Sequence, residues 1–527
     1  MKQNRSRPNV VLIVLDTLRA DRMSCYGYDR DTTPFIDAFA DQATLFERAV
    51  VPGQWTIPSH ASLFTGEYPT THMTTQIYDT LGEDLVTLAE LLRDEGYRTV
   101  GFCNNPLLGV VDNDLDRGFE EFYNYGGAVP NYPDVSQSRP KLVGQPVERY
   151  ARLMRSIIAP LQNRFAHDSL LLRIAMHPLI VPLWQDSINF KGNTKRSLRD
   201  VVGYLRAHQH SNDPRPLFTF VNLMETHLPY RPPARFIQEF APYYEEDRKA
   251  RDFMRNYNLE HYRWMIPLTE PLSELSHRTL NDLYDAEVAY QDRLLRRLLR
   301  DLNKPAARDN TVVIITSDHG EGLNHHNFVG HSLVAYDDLV RVPLIVRHPR
   351  LYPEGERVSS MVSTRRVFHS VLEAAGAAPD TEGLHHAPID VEGLSLTQAI
   401  NGSGARGFVF AEAYTPDTLL TLMENESPTA IDTFRCRSMR RAAYEGRYKL
   451  ITVGDEPDEL FDVIDDPGET RNLASEYPDR VVRLEDALSS FVKDAEARRS
   501  ANWTSARALS LDNEEVSERL RALGYIE

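Results

Sequence analysis

Two stretches of the chain share one pattern. Residues 8–17, Pro-Asn-Val-Val-Leu-Ile-Val-Leu-Asp-Thr, form an apolar run of strand length that closes on an acid. Residues 311–321, Thr-Val-Val-Ile-Ile-Thr-Ser-Asp-His-Gly-Glu, repeat the design and close on Asp318-His319. Unbroken β-branched runs of this kind read as strands buried on both faces of a parallel sheet. Between them the period becomes helical. Residues 84–95 put Leu85, Leu88, Leu91 and Leu92 on one face and stop at Gly96, and a strand follows at 98–103. Further helices are predicted at 32–43, 194–208, 273–302 and 366–375, and strands at 216–223 and 342–347. Such alternation predicts an α/β fold with a doubly wound, mostly parallel sheet flanked by helices. In 273–302 acids and arginines recur at i,i+4 spacing, which predicts a solvated charged face. Residues 236–265 mix charged and aromatic positions without a period and read as lid-like.

From about residue 406 the pattern shortens. Strands at 407–411, 438–444, 448–453 and 459–461 predict a smaller antiparallel sheet, followed by helices at 477–497 and 515–523. The expected division is a catalytic unit over 1–405, with a lid-like insertion at about 124–193, and a C-terminal unit over 406–527. Within the insertion the apolar piece 170–184 is interrupted by Arg173, His177, Pro178 and Pro182, and reads as buried or lid-like.

In sheets of this class ligands bind beyond the carboxyl ends of the strands. Asp16, Asp318 and His319 are therefore predicted to converge. Residues 55–66 supply a fourth group. Pro58 sits where a first helical residue would, and Gly66 just past the last, which predicts a short helix. Thr56 then precedes the helix N-terminus, either as its cap or as a hydroxyl facing an anionic ester. Two carboxylates, an imidazole and a hydroxyl together suit a divalent cation. Asn105 lies just beyond the strand at 98–103, as a turn residue or an amide toward an ester oxygen. His227 follows the strand at 216–223 and opens a His-x-Pro turn. His331 shares a loop with His325 and His326.

Composition narrows the class. The 527 residues are 42% hydrophobic and 26% charged, ordinary for a globular chain. A net charge of −17 argues against nucleic acid or an anionic membrane as partner. Three widely spaced cysteines, Cys25, Cys103 and Cys436, imply neither a disulfide framework nor a zinc motif. The short basic lead lacks the apolar stretch of a secretory signal, and no run has the length of a transmembrane segment, so a cytoplasmic location is expected.

Taken together these segments resemble the sulfatase family of the alkaline-phosphatase superfamily, nearly end to end. The resemblance rests on residues 8–16, Cys25-Tyr26-Gly27, the Pro-Ser-His-Ala-Ser-Leu-Phe-Thr-Gly of 58–66 and the Ser-Asp-His-Gly-Glu of 317–321. It continues through Leu-Val-Arg-Val-Pro-Leu at 339–344, Gly-Arg-Tyr-Lys-Leu at 446–450 and Asp-Pro-Gly-Glu-Thr-Arg-Asn-Leu-Ala at 466–474. The departures bear on chemistry. Such a sulfatase has Cys or Ser at the position of Thr56, oxidised to a formylglycine aldehyde that Thr cannot give, and Arg at the position of His60. Its second acid is Thr17 here. Its Gly-Lys-Trp-His segment aligns with Asn104-Asn105-Pro106-Leu107, and a late Lys falls near His331.

The resemblance implies a metal-dependent hydrolase of sulfate or phosphate esters working through a covalent Thr56 intermediate, with phosphate mono- or diesters favoured. A transferase of a phospho-alcohol group and a non-catalytic metal-binding relative are the alternatives. It implies Thr56, His60 and His227 as catalytic residues and Asn105 and His331 as substrate contacts. Asp16, Thr56, Asp318 and His319 would hold one divalent ion, with calcium, magnesium, manganese and zinc all open and room for a second beside Glu225. The expected partner is a small-molecule or glycan ester; the sequence does not fix the oligomeric state.

Overall fold

The computed structural model describes residues 7–77, 79–127, 130–133, 191–331, 333–348, 350–377, 389–402 and 407–499. Most of the expected insertion, including 170–184, and the expected helix at 515–523 lie outside the described residues.

The strands, in chain order, are β1 (Asn9–Leu15), β2 (Thr44–Val50), β3 (Arg98–Cys103), β4 (Glu121–Asn124), β5 (Leu217–Leu223) and β6 (Thr311–Thr316). Then come β7 (Gly322–Leu323), β8 (Val329–Gly330), β9 (Arg341–Arg347), β10 (Arg357–Val358) and β11 (Val362–Ser363). Nine of them form one sheet in the order β10-β2-β9-β6-β1-β5-β3-β4, with β11 also on β2. Every pairing is parallel except those of β9, which runs against β6 and β2. The expected doubly wound, mostly parallel sheet is present. Alternate residues of β1 feed two cores: Val10, Leu12 and Val14 pack into one, and Val11, Ile13 and Leu15 into the other. That two-sided burial is why the run is apolar without alternation.

Register does the positioning. Val14 pairs with Thr316, Leu15 with Leu223 and Cys103 with Asn222. The neighbouring strands β6, β1, β5 and β3 therefore end together, and the residues just beyond them share one edge.

β12 (Val409–Ala413), β13 (Arg440–Glu445), β14 (Tyr448–Val453) and β15 (Glu456–Asp462) form the smaller antiparallel sheet. The helix Pro478–Ala497 packs Leu484, Leu488 and Phe491 against its Ala443, Leu450 and Leu460. No helix among the described residues is long and apolar enough to cross a membrane.

Four expectations need correction. The helix expected at 32–43 spans Pro34–Ala40 and is followed by β2, which the pattern missed. The helix expected at 84–95 is Leu88–Asp94, started by a capping box between Thr87 and Glu90. Residues 236–265 are not irregular: they hold the helices Ala234–Phe240, Arg248–Leu259 and His261–Trp264. Finally, the long helix Glu274–Leu302 does not turn all its acids to solvent. Asp285, Glu287 and Asp292 are buried on it. Asp292 accepts the N–H groups of Phe35 at 3.1 Å and Ile36 at 2.8 Å, which open the helix Pro34–Ala40. Asp285 accepts from Tyr28 at 2.6 Å and Arg30 at 2.7 Å. These acids face inward because other elements offer them donors.

Candidate active site

Asp16 leaves β1 with its N–H on the Leu223 carbonyl at 2.8 Å, and its own carbonyl accepts from Thr226 Oγ1 at 2.5 Å. Its Oδ2 accepts from Asn105 Nδ2 at 2.8 Å. Beyond β6, Asp318 Oδ1 accepts the N–H groups of Thr17 at 3.2 Å and His319 at 3.0 Å. His319 Nδ1 donates to the Gly320 carbonyl at 2.9 Å, which leaves Nε2 carrying the lone pair. That nitrogen lies 3.4 Å from Asp318 Oδ2 and 3.4 Å from Thr56 Oγ1.

Ligand atoms of Asp16, Asp318 and His319 all fall within 4.8 Å of one another, and all three residues are buried. Asp16 Oδ1, Asp318 Oδ2 and Thr17 Oγ1 are buried with no hydrogen-bond partner. Buried carboxylate oxygens without partners are costly, and two such oxygens beside a bare imidazole nitrogen are the donor set of a divalent cation. The residues present therefore fit the ion. Burial pushes Asp16 up to about 8, with the charge of Asp318 adding to it. Burial pushes Asp318 up to about 7 and lowers His319. A bound cation would invert that preference and hold both acids ionised. Glu225 does not join this cluster among the described residues.

Thr56 is not the residue before a helix. The helix spans Thr56–Thr65, with Trp55 as its N-cap, so Thr56 is its first residue and Pro58 its third. Gly66 ends it in the left-handed region at φ 73°, as expected. Ser59 Oγ donates to the Asp318 carbonyl and ties this helix to the end of β6. His60 Nδ1 donates to the Thr56 carbonyl at 2.9 Å, and its ring meets Phe64 and Phe220 edge-on. Its Nδ1 is 3.6 Å from Asp318 Oδ2, its Nε2 is buried without a partner, and burial lowers its pKa to about 3. This neutral imidazole lies in the layer beneath Thr56.

His319, His331 and His227 form a run of packed rings. The His331 ring is centred 4.5 Å from His319 and 4.9 Å from His227. His227 Nδ1 donates to the Leu228 carbonyl at 2.7 Å, and burial, with His331 close by, holds its pKa well below the usual range. Asn105 does two jobs. It caps the short helix Pro106–Gly109 through Leu107 N–H, at 2.9 Å, and it anchors Asp16. His325 instead pairs with Asp338 at 3.0 Å, and His326 stacks on Tyr336 at 3.8 Å.

Two residues escaped the sequence reading. Glu321 is buried, meets His331 Nδ1 at 2.9 Å through Oε1 and accepts from Tyr230 at 3.0 Å through Oε2. The pairing of β7 with β8, Gly322 opposite Gly330, sets Glu321 and His331 face to face. Asn222 accepts the Asn105 N–H at 3.1 Å; a lone amide in the apolar run of β5 was its signal.

A parallel sheet that gathers two carboxylates, three imidazoles and a helix-borne hydroxyl at its carboxyl edge is the frame of an ester-hydrolysing enzyme. The Sulfatase family model matches residues 8–377, and the chain belongs to that family. It is an ester hydrolase. A protein of Escherichia coli (strain K12) described as uncharacterized sulfatase YidJ is 25% identical over 505 residues, covering 94% of this chain and 90% of its own. An arylsulfatase of Clostridium perfringens (strain 13 / Type A) is 23% identical over 512 residues, covering 93% and 95%. Among solved structures, the phosphonate monoester hydrolase of Agrobacterium radiobacter superposes with a TM-score of 0.62 at 21% identity, over 93% of this chain and 96% of that one. A structure in complex with its substrate D-glucosamine-2-N,6-O-disulfate gives 0.63 at 18% identity, over 93% and 98%. At these identities the structures speak to the fold.

Proposed function

We propose that this chain hydrolyses phosphate monoesters or diesters, with sulfate esters as the second class, through a covalent ester on Thr56. The observation that carries the reading is the Thr56 hydroxyl on the first residue of its helix, 3.4 Å from His319 Nε2. A threonine there cannot be oxidised to an aldehyde, which supports its own hydroxyl as the oxygen nucleophile. Asp16, Asp318 and His319, with Thr56, would hold one divalent ion. When bound, such an ion supplies a Lewis acid that lowers the pKa of an oxygen nucleophile and stabilises charge in an in-line displacement.

The chain's own residues do the rest. Thr56 Oγ1 bonds to phosphorus as the ester oxygen leaves with the electron pair. The Thr56 proton departs with the alcohol, and His331, paired with Glu321 through Nδ1, is the imidazole suited to carry it. Water then cleaves the Thr56 ester, releasing phosphate from a monoester substrate or a phosphate monoester from a diester, and restoring the hydroxyl. Asn105 holds Asp16 in place, Glu321 holds His331, and His60 fixes the first turn of the helix through the Thr56 carbonyl. Three free cysteines, two of them buried, fit the cytoplasm as the setting.

The test is turnover of an aryl sulfate, an aryl phosphate and a phosphate diester in metal-supplemented buffer, wild type beside Thr56→Ala. The expected result is phosphate or diester turnover that falls by roughly a thousandfold or more in the variant. Full turnover by Thr56→Ala on every ester would sink the mechanism.

A further inference from the structure

Among the described residues the candidate site is short of positive side chains. Arg19, three residues after Asp16, is committed to Asp21 and Asp338 at 2.6 Å each. Yet a phosphate or sulfate ester brings one or two negative charges into a chain that already carries −17. One ammonium stands at the edge of the site. Lys191 Nζ donates to the Glu225 carbonyl at 2.8 Å and to Glu287 Oε1 at 3.2 Å. It lies 5.9 Å from the centre of the Tyr230 ring, whose hydroxyl binds Glu321. Its charge acts on both His227 and Glu321.

The backbone of Lys191 is fixed from the other side. Asn104 Nδ2 donates to the Lys191 carbonyl at 3.1 Å and to Thr194 Oγ1 at 2.8 Å. Gly192, at φ 66°, sits so near that a Cβ there would be 3.0 Å from Asn104 Cγ. Lys191 is thus clamped between the residue before Asn105 and the residue two before His227, across the carboxyl ends of β3 and β5. Its side chain is 16% exposed. That is dry enough to strengthen a charge contact and open enough for a ligand to reach.

We infer that Lys191 is a substrate-binding residue, its ammonium meeting an anionic oxygen of the ester on the His227 side of the site. This rests on the reading of the site as that of a phosphate or sulfate ester hydrolase. The competing account is structural: Lys191 is there to neutralise Glu287, which is buried and whose Oε1 also accepts the Arg231 N–H at 2.6 Å.

A double-variant cycle separates the two. Inorganic phosphate is the probe, its affinity read by calorimetry on metal-supplemented protein, with Tm measured alongside. Lys191→Gln weakens phosphate by roughly tenfold, the loss of one charge-assisted hydrogen bond, and Lys191→Arg keeps most of the affinity. Lys191→Gln combined with Glu287→Gln recovers Tm and leaves phosphate weak. The inference is overturned if the double variant recovers both, if Lys191→Gln binds phosphate as wild type does, or if wild type binds none. Turnover of Thr56→Ala is read separately. Full turnover there sinks the Thr56 nucleophile and leaves the Lys191 dependence of phosphate binding standing.

Discussion

Two buried clusters of acids in this molecule are built alike and finished differently. In the first, Lys449 reaches from β14, fully buried, to Asp337 at 2.8 Å and Glu469 at 2.5 Å. Tyr444 adds a hydrogen bond to Asp337 at 2.7 Å, and Asp337 N–H one to Glu469 at 2.6 Å. The acids there have a cation of the chain's own. In the second, Asp16 and Asp318 are more deeply buried than Asp337, and each leaves one oxygen without a partner. His319 stands beside them, and burial lowers its pKa. Since a buried, uncompensated charge costs several kcal/mol in a protein, the second arrangement is intelligible as one that a cation from solution completes.

The sharpest way to break this comparison is to change one acid in the open cluster. Asp318→Asn keeps an oxygen for the Thr17 and His319 N–H groups and loses the charge. Turnover is expected to fall by roughly a thousandfold while the metal-free protein stays as stable as wild type or gains, read by activity and by thermal melting. The mirror change is Lys449→Met, which strands the buried Glu469 and the partly buried Asp337. It should cost about 3–5 kcal/mol in denaturant unfolding, with no direct loss at the site where the fold survives. Next in size is the effect of the ion itself. Adding a divalent cation at a hundred times its Kd to chelator-stripped protein should stabilise it by about 2.7 kcal/mol, and Asp318→Asn should abolish that gain.

The smallest effect concerns Asp292, which belongs to neither cluster. Burial pushes its pKa from 3.8 up to about 7, opposed by the Phe35 and Ile36 N–H groups and reinforced by Asp37 and Asp31. An acid whose pKa is raised on folding contributes stability that is present below about pH 4 and lost as the pH rises through about 7. Asp292→Asn should therefore flatten the decline in Tm across that window; an unchanged slope would mean that Asp292 titrates normally.

How far the sequence was legible follows from the same physics. β1 and β6 were readable because burial on both faces demands an unbroken apolar run, and the acids ending them mark the carboxyl edge. The helix bearing Thr56 was legible, but its start was misplaced by two residues. Proline is tolerated throughout the first turn, where no N–H is needed, so Pro58 sits third as comfortably as first. β2 was hidden by Glu47-Arg48 and by the irregularity in its pairing with β9 between Phe46 and Ala49. The inward acids of Glu274–Leu302 were misread because charge spacing along a helix says nothing of which face meets donors from elsewhere. Glu321 and His331 became a pair only through the short hairpin of β7 and β8, and Lys191 is held by contacts with Asn104, Glu225 and Glu287, all distant in sequence.

Asp16, Asp318 and His319 are the donors that a cation from solution would complete. The most direct measurement is a calorimetric titration of calcium, magnesium, manganese and zinc into chelator-stripped protein, wild type beside Asp318→Asn. The account predicts one stoichiometric site in wild type for at least one of these ions, absent in the variant. Binding of none of the four to wild type, or equal binding by Asp318→Asn, would contradict it.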